Sequence, residues 1–305
     1  MGTPEFSVPC LKMLIEEGYE IPMVITQPDK PKGRGKKICC TPVKEFAIKH
    51  NIEVHQPVKV KNKCFANLIR SGCPDLIVVV AYGRILTRNV LEIPRLGCIN
   101  VHASLLPKYR GSAPYQWAII NGESITGNTT MLMDEGMDTG DILLKNEIPI
   151  SDSMTAGELH DKLSIMGASL LKETIQELVN GSIVPVPQDN EKATYAPMLS
   201  KDTGLIDWRK DAKDINNLIR GTNPWPVAFT YYEGLRMRIW KAEVVDNNCS
   251  DKPAGTILSV GKMGLIVACG FNTLKVTEIQ LDNCRRMAVE EYICGHKLNA
   301  GDKLG

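Results

Sequence analysis

Two side chains in one apolar segment are the first in this chain able to do chemistry together. In CINVHASLLPKYRGSAP (98–114), Asn100 and His102 stand two residues apart, so in a strand both leave the same face of the sheet. A carboxamide donor and a titratable ring then share one place at the strand's carboxyl end, where open α/β sheets hold their ligands. Such a pair can stabilise a developing oxyanion and move a proton. The acidic, glycine-interrupted stretch MDEGMDTGD (133–141) follows the next apolar run and offers Asp134, Asp138 and Asp141. A carboxylate reaching the ring from there fixes its tautomer and favours the imidazolium. Composition alone does not choose among the three.

A second grouping is electrostatic. Lys30, Lys32, Arg34, Lys36 and Lys37 place five cations in eight residues with no acid between them, and Gly33 and Gly35 loosen the backbone. This reads as a phosphate-seeking loop. Lys44, Lys49, Lys59, Lys61 and Lys63 widen the patch, diluted by Glu45 and Glu53.

The elements that must position these groups follow from hydrophobic periodicity. Buried-strand runs at 21–27, 74–82, 97–102, 126–133 and 141–150 alternate with helical patterns, which predicts a doubly wound, mainly parallel α/β sheet. Leu76–Val80 is continuously apolar, as in a strand covered on both faces. Helices are expected at 9–18, 41–50 and 61–72, with Gly18 and Gly72 suited to left-handed C′ positions. The clearest helix runs from 155 to 179, opened by a Thr155/Glu158 capping box and followed by Gly181. Residues 1–182 thus form one expected domain. A Pro-rich polar stretch, 183–202, reads as an interdomain linker. From 203 to 305, a helix near Lys213–Arg220 precedes short alternating strands punctuated by glycines, which predicts a small β-barrel.

The opening G-T-P-E-F looks like the turn after a first strand, yet only Met1 precedes it. The expectation is a sheet lacking its opening strand, with unpaired backbone beside the gap and reduced stability.

Composition narrows the function classes. Thirty-six basic residues against thirty-five acidic ones leave +1, so a polyanion must be held by a local patch rather than by the whole field. No apolar run approaches the roughly 20 residues of a membrane span, and the first residues lack the basic and apolar regions of a secretory signal; a cytoplasmic protein is expected. The ten cysteines form no C-x-x-C pair, so reduced thiols and no metal site are expected. No G-x-G-x-x-G follows a strand, which disfavours a nicotinamide dehydrogenase.

NVHASLLPKYRGSAP followed by MDEGMDTGD resembles the folate-dependent formyltransferases. GTPEF, TQPDKPKGRGKK and NPWPVAFT (223–230) resemble the branch acting on methionyl-tRNA, and the similarity runs over nearly the whole chain. The resemblance implies an amino-terminal doubly wound domain joined to an OB-like barrel that contacts tRNA. It selects Asp138 to join Asn100 and His102 as the catalytic trio. It implies 10-formyltetrahydrofolate as donor and the α-amino group of methionyl initiator tRNA as acceptor, in support of translation initiation, with no metal.

By the same resemblance, Ser104, Leu105, Leu106 and Pro107 form the folate-contacting loop, and the basic loop enters the acceptor end of tRNA with Arg34 making the decisive contact. Lys213, Arg220, Arg236 and Arg238 are further candidates for phosphate contact, whereas Trp225, between Pro224 and Pro226, reads as structural. A monomer is expected. The alternatives are a formyltransferase for a small amine, such as a nucleotide sugar or glycinamide ribonucleotide, and an RNA-binding module in which the Asn and His are structural.

Overall fold

The computed structural model describes residues 1–32, 37–245 and 251–305, without the side chains of Lys32 and Lys37. The chain divides into two compact units. The first comprises Met1–Pro114, Ile125–Pro149 and His160–Pro197, and the second Tyr115–Ser124, Ile150–Leu159 and Met198–Gly305.

In chain order the elements are α1 (Val8–Glu16), β1 (Val24–Ile25), β2 (Lys30–Lys32), β3 (Lys37–Cys39), α2 (Pro42–Lys49), β4 (Val54–His55), α3 (Lys63–Ser71), β5 (Ile77–Val79), α4 (Arg88–Leu91), β6 (Cys98–His102), β7 (Arg110–Gly111), α5 (Pro114–Ile120), β8 (Ile125–Leu132), β9 (Ile142–Pro149), α6 (Ala156–Asn180) and β10 (Tyr195–Ala196). After these come α7 (Ala212–Gly221), β11 (Phe229–Tyr232), β12 (Leu235–Val245), β13 (Ile257–Gly261), β14 (Gly264–Ala268), β15 (Thr273–Leu281), β16 (Met287–Ala288) and α8 (Val289–Gly295).

Side-chain caps start the helices where the sequence offers them. Thr41 accepts from the Lys44 amide at 3.2 Å and Asn62 from the Phe65 amide at 2.9 Å. The Thr155/Glu158 capping box forms, with the Thr155 amide donating to Glu158 at 2.8 Å. Gly18 and Gly181 are left-handed as expected. Gly72 is not; its φ is −83° and the next residue, Cys73, takes the positive φ. A Cβ on Gly72 would lie 2.8 Å from the tip of Met23, a flexible end that can move aside, so nothing in the structure requires glycine there.

The first unit's sheet is mixed rather than mainly parallel. β5 pairs with β6 in parallel, but β6–β8 and β8–β9 are antiparallel, in the order β5-β6-β8-β9. For β8 and β9 the reason is the acidic loop: residues 133–141 return the chain directly, so the two strands form a hairpin with no crossover helix between them. β1 and β4 form a separate parallel pair. Met1 and Gly2 lie between β1 and β5, the Gly2 amide donating to Ile25 at 3.0 Å and the Val80 amide to Met1 at 2.9 Å. A cavity of about 540 Å³ is lined by Met1, Ile21, Met23, Ile25, Ile77 and Val78 among others.

The stretch read as a linker is bound into the first unit as far as Pro197. Val186 bridges Ile142, and β10 pairs in parallel with β7. Extended backbone beside an open strand edge satisfies its polar groups by pairing.

The second unit holds an antiparallel sheet in the order β11-β12-β15-β14-β13, with β16 also on β15. Glu233 and Gly234, both at positive φ, make the two-residue turn between β11 and β12. Ile215, Ile219, Met237, Ile239, Leu265, Val276 and Ile279 pack its core. Among the described residues no strand pair closes this sheet into a barrel. The tail runs along both edges instead. The Ile257 amide donates to Asp302, the Leu304 amide to Gly255 and the Gly305 amide to Tyr231.

No described helix is long and apolar enough to cross a membrane. The described cysteines are free thiols, and burial pushes Cys10 and Cys98 up to about 12.

Candidate active site

β6 is buried along its whole length, flanked by β5 and β8. Its apolar Ile99 and Val101 alternate with Asn100 and His102, which retain 9% and 6% exposure. The period of two therefore turns an amide and an imidazole to one face inside an otherwise apolar layer. Asp138, in the loop joining β8 to β9, meets them there. The Asn100 amide reaches its Oδ1 at 3.5 Å, and His102 Nδ1 stands 3.7 Å from its Oδ2. The rival carboxylate Asp134 is spent on its own loop, bonded to the Thr139 hydroxyl and the Gly136 amide.

The ring's orientation has an identifiable cause. His102 Nε2 lies 3.0 Å from the Tyr109 carbonyl oxygen. A carbonyl only accepts, so Nε2 carries a hydrogen, and Nδ1, facing Asp138, is the nitrogen left to exchange a proton. At 3.7 Å the pair is in contact but too far apart for a hydrogen bond. Asp138 is held independently, the Gly111 amide donating to Oδ2 at 2.8 Å. Gly111 has φ +120° and a Cβ there would stand 2.7 Å from the Ala196 carbonyl, so β10 could not come so close to a larger residue.

The Ser104–Pro107 loop is laced to the sheet. Thr129, the cross-strand partner of His102, is fully buried; its hydroxyl donates to the Ser104 carbonyl at 2.7 Å and accepts from the Leu106 amide at 3.1 Å. Lys145, beside Thr129 on β9, donates to the Leu106 carbonyl, and burial lowers its ammonium pKa. The Ser104 hydroxyl is used internally on the Lys108 carbonyl, and the Leu106 side chain is fully buried. Leu105 and Pro107 are half-buried and are the loop's outward side chains.

Thr129 and Lys145 escape a reading from sequence. The available signal was Asn128-Thr129-Thr130, three polar residues inside a strand expected to be covered, all fully buried.

Arg34 and Lys36 lie outside the described residues, as do the side chains of Lys32 and Lys37. Lys30 is exposed, at the start of β2. Lys44 does not widen a basic patch: its ammonium bonds Asp29 at 2.5 Å and Gln56 at 2.7 Å, and that contact holds Asp29 below the usual carboxylate range.

In the second unit Arg220 is buried, its guanidinium donating to Asn217 and to the Ser151 and Met154 carbonyls. Burial of this kind is structural. Arg236 stacks over Phe229 and Arg238 pairs with Asp282 at 3.2 Å, whereas Lys213 is exposed. Trp225, read from sequence as structural, is 54% exposed. Among the described residues no cluster of His, Cys, Asp or Glu could hold a metal.

Residues 1–175 match the family model described as formyl transferase, and residues 198–297 match that described as formyl transferase, C-terminal domain. The chain belongs to the formyl transferase family. Among its relatives, a methionyl-tRNA formyltransferase of Acetivibrio thermocellus is 60% identical over 305 residues, covering 100% of this chain and 98% of that protein. One of Clostridioides difficile is 54% identical with the same coverage. The formyl transferase fold is also seen in the crystal structure of WlaRD, a sugar 3N-formyl transferase, at TM-score 0.68 and 21% identity, covering 93% of this chain and 97% of that one.

Proposed function

We infer that this chain transfers a formyl group from 10-formyltetrahydrofolate to the α-amino group of methionyl initiator tRNA, with Asn100, His102 and Asp138 as the catalytic residues. The observation that carries the reading is the convergence of those three side chains at one strand end, in a chain 60% identical over its length to a methionyl-tRNA formyltransferase.

The donor supplies the formyl group and leaves as tetrahydrofolate. As the neutral amine adds to the formyl carbon, the carbonyl oxygen gains negative charge, and the Asn100 amide and the His102 Nδ1–H are the donors positioned to meet it. A preorganised donor of this kind is worth about 100- to 1,000-fold in rate. The new C–N bond leaves the amine with a surplus proton, which Asp138 accepts, while His102 Nδ1–H gives its proton to the leaving nitrogen and is reprotonated from Asp138. Tyr109, by taking the Nε2 hydrogen, keeps Nδ1 the active nitrogen throughout.

Leu105 and Pro107 form the folate-facing side of the loop, and Ser104 and Leu106 act by fixing its backbone. Lys30, Lys32, Arg34, Lys36 and Lys37 take phosphates near the tRNA acceptor end. The second unit is read as an OB-like, tRNA-contacting domain; the tail bonded to both sheet edges supports its barrel-like character, and the relatives' activity supports the tRNA contact. The protein acts as a cytoplasmic monomer. We assign formyl transfer to the domain over 1–182, to which the first part of the 183–202 segment is bound as far as Pro197, and tRNA contact to the domain over 203–305.

The test is formyl transfer from labelled 10-formyltetrahydrofolate to methionyl-tRNA, beside an amino-sugar nucleotide and glycinamide ribonucleotide. Label on methionyl-tRNA is expected, and label on a small amine alone would overturn the acceptor assignment.

A further inference from the structure

Asp138 carries φ +57°, a left-handed conformation that aspartate, with its short polar side chain, tolerates better than most residues. Its carboxylate is fixed by the Gly111 amide, but its backbone is held from a region far along the chain. Gln188 donates from Nε2 to the Asp138 carbonyl at 2.9 Å and to the Gly140 carbonyl at 2.7 Å. The carbonyl end of the same side chain accepts twice from Arg110, Nε at 3.0 Å and Nη2 at 2.7 Å. Arg110 is 2% exposed, and Nη2 also reaches Asn190 at 2.9 Å.

We propose that Gln188, polarised and locked by Arg110, is a positioning residue that sets the Asp138 carboxylate against Asn100 and His102. The inference rests on the catalytic role given to Asp138 above. A guanidinium bonded twice to the amide oxygen fixes the side chain's plane and strengthens the N–H donors at its other end. Both donors fall on the turn that carries Asp138, one on that residue and one two residues later. Rotation of that turn would carry the carboxylate away from Nδ1, and an ångström of misplacement in a catalytic group costs on the order of 100-fold. Gln188 thus acts through Asp138 and touches no reacting atom.

The test is a double-mutant cycle in the formylation assay, measuring kcat and both KM values for wild type, Gln188→Met, Asp138→Asn and the double variant. Gln188→Met is expected to lower kcat by about tenfold or more with either KM changed less than about threefold, and to lower it less than about twofold further in the Asp138→Asn background. Multiplication of the two effects in the double variant, or a kcat within about twofold of wild type for Gln188→Met, overturns the proposal.

Gln188→Glu keeps the length and the acceptor for Arg110 but not the paired amide donors, so it separates loss of the donors from loss of the Arg110 anchor; it is expected to show the same loss of kcat, and wild-type turnover there also overturns the proposal. The comparison is made on whichever amine the wild type formylates. Wild-type transfer to a small amine alone faults the acceptor assignment while leaving the cycle readable, and failure with every amine overturns both.

Discussion

The two sides of the first unit are built differently. On the β6–β8–β9 side, side chains tie strand to loop and strand to helix: Thr129 and Lys145 hold the Ser104–Pro107 loop, Asn128 and Asn146 bond the Leu163 and Met166 carbonyls of α6, and the Thr130 and Thr174 hydroxyls meet at 2.8 Å. On the β1–β4 side, two residue pairs make the strand ladder, Met1–Gly2 supplies the backbone contact with β5, and Met1, Ile25 and Ile77 line a cavity of about 540 Å³. The trio stands on the first side. Groups that must keep sub-ångström order belong where buried polar contacts over-determine the backbone, while the looser side can open locally at smaller cost.

This contrast fails if chemistry and stability respond together at the site. Asn100→Ala and Asp138→Asn are expected to lower kcat by about 100- to 1,000-fold, with urea midpoints close to wild type. A large midpoint loss in both would make the residues structural instead.

Core truncations sharpen the comparison between the sides. Met131, buried at 2% on β8, should cost about 2–5 kcal/mol as Met131→Ala. Met23 lines the existing cavity, and Met23→Ala should cost about 1 kcal/mol or less, because less packing is lost. Equal losses in urea unfolding would erase the distinction.

Thr129→Val strips the loop of both bonds and leaves the buried Leu106 amide unmet, at a cost of about 1–3 kcal/mol. Donor titration should show a raised KM for the folate with a smaller change in kcat; an unchanged KM would detach the loop from donor binding.

The smallest effect expected is at the Asp29–Lys44 pair. The Lys44 ammonium, then Gln56, lowers the Asp29 pKa from 3.8, and Asp29 raises that of Lys44 from 10.5. A lowered acid contributes stability above its unfolded value and loses it as pH falls through the folded one, while a raised base contributes until pH climbs past its folded value. The stability difference between wild type and Lys44→Met should therefore be flat near neutrality and shrink in acid below 3.8. A difference that grew in acid would contradict the pairing.

Much of the architecture was legible in local sequence. The i, i+2 spacing placed Asn100 and His102 on one face, and the capping box and Gly181 bounded the long helix. Strand direction was not legible, because a run such as 126–133 has the same pattern whether parallel or antiparallel; the short acidic return decides only that β9 runs against β8. Gln188 was hidden for a different reason. Pro-rich, polar sequence looks the same in a free linker and in an edge segment that pairs with β7 and β9, and only tertiary contact distinguishes them. Arg220 illustrates the reverse error, since composition reports a charge and not whether carbonyl groups enclose it.

Single-turnover transfer of labelled formyl to saturating methionyl-tRNA, comparing wild type with His102→Ala, tests the central claim most directly. Wild type should formylate the tRNA, and the variant should bind it as tightly yet transfer about 100-fold more slowly or worse. Transfer by His102→Ala at the wild-type rate would contradict the account.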